Sequence, residues 1–265
     1  MEIPSPPPRE APPTSRSEAI FEALLGEILR GDVAPGDRLP PERALATRFA
    51  TNRNTLREAV RQLDRLGLVR ARQGQGVTVA DFRREGTIAL LGPYIRHAPD
   101  LAERARVFAD LLTSRLLVLE QAVTLAARRG QPADFDAIAR AAEAQIQRFE
   151  AGGEAAAPRD RRLQLVRGDI ALIEALVDAA HSLMVRWTAN TFLGIYRDLL
   201  HGAAALWVAE PDYAAFLHAL ARAVRGGDAP GAAALVRDYY GRTDARLLAV
   251  LERLLPSPTS PRSAP

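Results

Sequence analysis

Apolar residues recur at helical spacing through most of the chain. Within residues 17–30 they fall at Ile20, Phe21, Leu24, Leu25, Ile28 and Leu29, the three-and-four rhythm of one buried helix face. Ser17 is the expected N-cap and Gly31 the stop. In "APGDRLP", Pro35-Gly36 sets a turn and Pro40 pushes Leu39 out of the helical region. Pro41 suits the first position of a second helix reaching Phe49. A third helix, capped by Asn52 or Asn54, runs to Leu66, with Gly67 as its stop. Leu56, Ala59, Val60, Leu63 and Leu66 line one face of it, and Arg57, Arg61 and Arg65 share another.

After Gly67 the rhythm changes. Leu68-Val69 and Val77-Thr78-Val79 read as two strands around a Gln73-Gly74-Gln75-Gly76 tip, a β-hairpin. Three helices followed by a hairpin, with a short turn between the second and third helices, predict a winged helix-turn-helix. From about residue 86 onward no strand pattern appears. Amphipathic stretches over 100–129, 132–150, 161–180, 182–208, 211–225 and 230–255 predict an all-α bundle of six or seven helices. The expected fold is therefore mainly α: an N-terminal winged helix-turn-helix with a small β-hairpin wing, plus a C-terminal all-α helical bundle. Its divisions are a disordered tail over 1–15, the winged module over 16–82, a linker over 83–98, the bundle over 99–255 and a second tail over 256–265.

Composition narrows the function. The 265 residues suit one large domain or two ordinary ones. The chain has no cysteine, which excludes disulfides, thiolate metal sites and cysteine nucleophiles and fits a reducing cytoplasm. No apolar run approaches the roughly 18 residues that span a bilayer, and the proline-rich start lacks the apolar core of a signal peptide. A cytoplasmic protein without a membrane partner is expected. Its net charge is only +3, but the charge is unevenly placed. All 35 cations are arginine, a bias that a GC-rich genome alone also produces. Within residues 38–73, however, nine arginines face Glu42, Glu58 and Asp64, a local balance of +6. That is the electrostatic footprint of a protein that meets a polyanion.

The arginines sit where a helix-turn-helix reads DNA. Arg53, Asn54 and Thr55 open the third helix and Arg57 lies one turn on. A recognition helix meets base edges with its N-terminal residues. Arginine pairs with guanine and asparagine with adenine, each through two hydrogen bonds, and a threonine hydroxyl suits phosphate. Arg43, in the first turn of the second helix, is placed where that helix crosses the backbone. At the wing, Gly74 and Gly76 permit a tight turn close to a groove, with Gln73 and Gln75 as polar contacts. Enzyme signatures are missing: the chain has no H-E-x-x-H, G-x-S-x-G, P-loop or dinucleotide fingerprint.

These motifs carry a family resemblance. PGDRLPPER, R-N-T-L-R-E-A, L-D-R-L-G-L and R-Q-G-Q-G-V together closely resemble the DNA-binding domain of the GntR family of bacterial transcription regulators, over residues 17–82. The resemblance implies operator contacts from Arg43, Arg53, Arg57 and Gly74 to Gly76. Residues 86–255 more loosely resemble the FadR-type subfamily, whose helical FCD domain binds an effector and dimerises. There "LLTSRLLVLEQAVTLAARR" is similar to a subfamily helix and supplies Arg115 and Glu120. Many members hold a divalent metal through one aspartate and three histidines. Here Asp169 matches the aspartate, but Ile173 and Tyr239 stand at two of the histidine positions, and only His218, of His97, His181, His201 and His218, lies near the remaining one. No metal and no other cofactor is therefore expected.

Other members of the subfamily bind fatty acyl-CoA without a metal. "FLGIYRDLL" and "LVRDYYGR" resemble stretches of theirs and supply Tyr196, Arg197, Tyr239 and Tyr240; with Arg115 of the earlier helix and Asp169 and His218 of the metal positions, these are the candidate effector residues. The tyrosines equally suit core positions with satisfied hydroxyls. The resemblance implies a homodimeric repressor or activator on double-stranded operator DNA, an inverted repeat, with a small metabolite controlling affinity. That metabolite is a fatty acyl-CoA or, in the alternative, a small carboxylate with or without a metal. A non-enzymatic nucleic-acid adaptor is the more remote reading.

Overall fold

The computed structural model describes residues 15–72, 76–151, 159–203 and 210–254. The chain forms two compact units that divide after Pro99.

The first unit opens with α1 (Arg16–Arg30). Its cap is Ser15, not Ser17: Ser15 is extended and its Oγ accepts the Glu18 N–H at 3.2 Å, while Ser17 already lies in the first turn. Ser15 stands three residues before Glu18, the spacing of a capping box, so the signal was present in the sequence. Helix α2 (Glu42–Arg48) and helix α3 (Arg53–Arg65) follow. Pro41 sits one position earlier than expected, as the N-cap of α2. Asn52 settles the cap of α3, its Oδ1 accepting the Thr55 N–H at 2.9 Å, which leaves Asn54 in the exposed first turn.

The turn between α2 and α3 holds Ala50 at a φ of 44°, a left-handed conformation uncommon for a side-chain-bearing residue. Arg16 compensates from outside. Its Nη2 donates to the carbonyls of Phe49 at 2.9 Å and Ala50 at 2.8 Å, tying the start of α1 to the end of α2. Leu24, Leu25, Leu45, Leu56, Leu63 and Leu68 form the fully buried centre of this unit. Gly67 ends α3 at a φ of 75°, and a Cβ there would stand 2.3 Å from the Glu85 carbonyl oxygen.

Strands β1 (Val69–Arg72) and β2 (Gly76–Val79) pair antiparallel, with Val69 opposite Val79 and Arg72 opposite Gly76. Arg38 bridges to Thr78, so the "DRL" stretch adds a short third edge to the wing. The expected tip residues Gln73, Gly74 and Gln75 lie outside the described residues. Residues 83–98, expected as a linker, are mostly folded. They contain most of α4 (Phe82–Glu85), a 3-10 turn (Ile88–Leu90) and α5 (Leu91–His97), and α5 packs on α1. Leu90 and Tyr94, one helical turn apart, give this segment a buried stripe, and Tyr94 meets Phe82 at 6.0 Å between ring centroids.

In the second unit the described residues form six helices and no strand. They are α6 (Leu101–Arg129), α7 (Pro132–Glu150), α8 (Arg159–Ala179), α9 (Leu183–Ala203), α10 (Tyr213–Arg225) and α11 (Ala229–Leu254). Asp100 caps α6 through the N–H groups of Ala102 and Glu103. At the start of α7, Asp134 reaches back to the Gln131 N–H at 2.8 Å and completes a capping box. The long α6 lies centrally and packs against α8, α9, α10 and α11. The main core joins Leu119, Val123, Ile138, Leu176, Leu217 and Val236 from five of the six helices. Among the described residues no helix is long and apolar enough to cross a membrane.

Candidate functional sites

Nine arginines occupy residues 38–72, and the folded structure sorts them. Arg57 forks onto Glu42, with Nε 3.0 Å from Oε1 and Nη2 3.1 Å from Oε2, joining α3 to the first turn of α2. The carboxylate raises the Arg57 pKa above its ordinary value through that hydrogen bond and its charge. Arg48 pairs with Glu27, Arg70 with Glu85, and Arg61 and Arg65 both with Glu58. The side chains of Arg38, Arg43, Arg53 and Arg72 make no ion pair or hydrogen bond among the described residues, and all four are exposed.

Of the expected DNA-contacting residues, Arg43, Arg53 and Asn54 are thus exposed and open. Thr55 is half-buried, its backbone N–H engaged by Asn52. Arg57 is exposed but already holds a carboxylate. Gly76 begins β2 at a φ of 85°, a conformation that favours glycine. The roles of Arg38 and Arg72 as open cations were not foreseen. Only side-chain pairing distinguishes them from Arg48 and Arg70, and the sequence does not print it.

The second unit holds a partly open cavity of about 420 Å³ between α6, α8, α9, α10 and α11. Its walls are mostly aliphatic and aromatic, including Leu111, Val118, Ile170, Ile173 and Phe192. Its polar lining is a set of phenols, two carboxylates and arginines. Arg115 projects from α6, and its Nη2 donates to both oxygens of Asp244 on α11, at 2.6 and 2.7 Å. The rings of Tyr240 and Tyr196 stand 4.8 and 5.6 Å from the guanidinium carbon. Burial works to lower the Arg115 pKa, but the phenol oxygens and the Asp244 carboxylate outweigh it and hold the group charged. The same burial pushes Tyr196 and Tyr240 upward, so both phenols remain protonated.

Asp169 of α8 sits in a separate network on the same wall. The Tyr213 hydroxyl donates to its Oδ1, and the Gln145 amide donates to that oxygen at 3.0 Å, to the Leu165 carbonyl at 2.8 Å and to the Tyr213 hydroxyl at 3.1 Å. Burial first, then Asp169, raises the Tyr213 pKa well above its ordinary value. The Tyr239 hydroxyl accepts the Glu210 N–H at 3.3 Å, and its ring stacks on Phe216 at 4.1 Å.

The cavity therefore gathers Arg115, Asp169, Tyr196, Tyr239 and Tyr240 from the expected effector residues. It does not gather Arg197, which is exposed and paired with Glu174, or His218, which is exposed on α10. Both lie on helices whose other faces reach the cavity, so an error of one helical face placed them wrongly. Glu120 pairs with Arg237 rather than with the cavity. Tyr213 and Asp244 were missed. Asp244 stands four residues after Tyr240, on the same face of α11, the one local sign that it joins the site.

The residues around Asp169 do not suit a divalent metal. Ile173 follows it by one turn, and its oxygen is engaged by a phenol and an amide. Among the described residues no three His, Cys, Asp or Glu side chains converge. His97 lies beside Glu22 in the first unit and His181 beside Asp134 at the start of α7, while the side chain of His201 lies outside the described residues.

A winged helix-turn-helix with open arginines at its reading end, followed by an all-α domain with an internal cavity, defines a DNA-binding regulator of the winged-helix class. The comparisons with known proteins narrow this. Residues 16–79 match the family described as bacterial regulatory proteins, gntR family, and residues 110–242 match the FCD domain. The chain belongs to the GntR family of transcription regulators and carries an FCD domain, consistent with its FadR-type subfamily. It is 29% identical over 242 residues to the HTH-type transcriptional regulator Mce2R of Mycobacterium tuberculosis, covering 91% of this chain and 95% of that protein. It is also 29% identical over 213 residues to the M. tuberculosis HTH-type transcriptional regulator Rv0494, covering 78% and 79% of the two chains. A solved Listeria monocytogenes structure, of a protein described as Lar that controls expression of the agr system, shares the fold at a TM-score of 0.55 and 13% identity. It covers 89% of this chain and 98% of that one.

Proposed function

We propose that this GntR-family regulator binds an operator through Arg43, Arg53, Asn54, Thr55 and Arg57 together with the wing, and releases it when the cavity of its FCD domain is filled by an amphipathic metabolite. The observation that carries the reading is the cavity itself. At about 420 Å³ it falls within the roughly 300–1,000 Å³ of small-molecule sites, and its mostly apolar walls carry a buried guanidinium, Arg115, among tyrosine hydroxyls and two carboxylates. Such a space suits an acyl chain with an anionic end, a fatty acyl-CoA or a carboxylate, better than a small polar acid. No cofactor or metal takes part.

The protein acts as a cytoplasmic homodimer, with two winged modules meeting the half-sites of an inverted repeat. Effector and operator are then linked by a coupling free energy of about 1–3 kcal/mol, the usual range for two sites on one protein. To test this, DNA selected by the full-length protein from a randomised pool is titrated by fluorescence anisotropy, with and without acyl compounds. A palindromic consensus and weaker binding in the presence of a cavity ligand are expected. Failure to enrich any sequence would sink the operator reading, and ligand binding that leaves DNA affinity unchanged would sink the effector control.

A further inference from the structure

Arg115 is a buried cation whose best binding edge is only half used. A guanidinium offers two forks for a carboxylate, Nε with Nη2 and Nη1 with Nη2, and both need Nη2. Asp244 holds that nitrogen alone, through both carboxylate oxygens. The Arg115 Nε is buried and has no hydrogen-bond partner, and Nη1 makes no hydrogen bond among the described residues. The hydroxyls of Tyr196 and Tyr240, on rings that flank the guanidinium, likewise make no hydrogen bond among the described residues, and both residues line the cavity. One under-used guanidinium and two uncommitted phenol donors thus stand together on an apolar wall.

We propose that the effector is an apolar-chain monocarboxylate, bound without a metal, and that its carboxylate replaces Asp244 on Arg115 and takes the full fork together with the two tyrosine hydroxyls. The proposal rests on reading this cavity as the effector site. Charge decides between exchange and addition. Asp169 already places one carboxylate on the wall, held by Tyr213 and Gln145. Adding a ligand carboxylate while Asp244 stays would set two anions on one cation in a largely apolar space, where unpaired charge is costly. Exchange keeps a single anion on Arg115 and leaves the freed Asp244 carboxylate to turn towards the solvent that its side chain, 16% exposed, already meets. A fatty acyl thioester carries no carboxylate at that end of its chain and cannot make the exchange. Because Arg115 belongs to α6 and Asp244 to α11, the exchange also removes a cross-link between two tightly packed helices, which turns occupancy into a change in how α11 is held.

The test is calorimetric titration of the full-length protein, with and without EDTA, with dodecanoate, dodecan-1-ol and dodecanoyl-CoA, combined with thermal melting. Wild type is expected to bind dodecanoate more tightly than the alcohol. Asp244→Asn leaves Arg115 without its anion, so that variant should melt lower, bind dodecanoate about tenfold tighter or more, and regain its lost melting temperature with dodecanoate but not with dodecanol. Tyr240→Phe, a milder change, should narrow the dodecanoate-over-dodecanol preference, which decides the matter even where Asp244→Asn does not fold. Equal binding of acid and alcohol, weaker dodecanoate binding by Asp244→Asn, an unchanged preference in Tyr240→Phe, or binding abolished by EDTA would each overturn the exchange. Binding of dodecanoyl-CoA without dodecanoate overturns the exchange but leaves the cavity as an effector site. No binding of any probe to any of the three proteins removes both readings.

Discussion

Replacing Gly168 by alanine probes how the cavity wall is held. Gly168 lies on α8, one residue before Asp169, and the Gln145 amide occupies the space where its side chain would be. An alanine Cβ would stand 1.8 Å from the Gln145 Oε1 and 2.7 Å from its Cδ. Since side-chain carbons do not approach within 3.0 Å, the amide must retreat by about 1.2 Å, the difference between 3.0 and 1.8 Å. Gln145 is fully buried, and its donations to Leu165, Asp169 and Tyr213 are 2.8, 3.0 and 3.1 Å long, so a retreat of that size breaks them. Each hydrogen bond contributes about 0.5–1.5 kcal/mol net, while exchanging glycine for alanine inside a helix returns about 1 kcal/mol. The expected outcome is a loss of about 2 kcal/mol in urea unfolding monitored by circular dichroism. In a Gln145→Ala background only the Arg148 Nη1 at 3.1 Å remains, the far end of a flexible side chain that can give way, and the same change should stabilise by about 1 kcal/mol. A Gly168→Ala effect of the same sign and size in both backgrounds would refute the packing argument.

Other outcomes follow from the sorting of charges and caps. Arg53→Ala should weaken operator binding by about 1–3 kcal/mol at physiological salt, whereas Arg61→Ala, whose cation rests on Glu58, should change it far less; equal losses in anisotropy titrations would reassign the reading end of α3. Asn52→Ala removes the cap of α3 and should lower stability by about 1 kcal/mol in denaturant unfolding, with no effect if water replaces the cap fully. Asp134, bonded to the Gln131 N–H and then to His181, has its folded pKa lowered from the usual 3.8. A lowered carboxylate pKa stabilises the fold above the unfolded value and loses that contribution as pH falls through the folded one. The stability gap between wild type and Asp134→Asn should therefore be present above the ordinary carboxylate pKa of 3.8 and shrink as the pH falls below it through the lower folded value; a gap that widens on acidification would contradict the assignment.

Much of the architecture is legible in the amino-acid sequence alone. Helical and strand periods are local properties, and so are the glycine at 67 and the asparagine at 52, which act on their own backbone or the next few residues. The winged module and the helical back half followed from those alone, as did the placement of Arg43, Arg53 and Arg57 on their helices. The one element misjudged, residues 83–98, has its apolar stripe interrupted by short helices, too brief for a clear period.

What tertiary structure alone decided is which polar groups meet. Arg115 and Asp244 are 129 residues apart, Gln145 and Tyr213 are 68 apart, and Arg57 finds Glu42 across a turn. Helical spacing says that a side chain shares a face with its neighbours one turn away. It does not say how each helix is rotated against the next, and that rotation sends Tyr196 into the cavity while Arg197, one residue on, pairs with Glu174 at the surface. The sequence by itself determined that this protein has a DNA-reading module and a helical domain. Only the packing of α6 against α8, α9, α10 and α11 created the cavity and left a buried cation held by a single carboxylate.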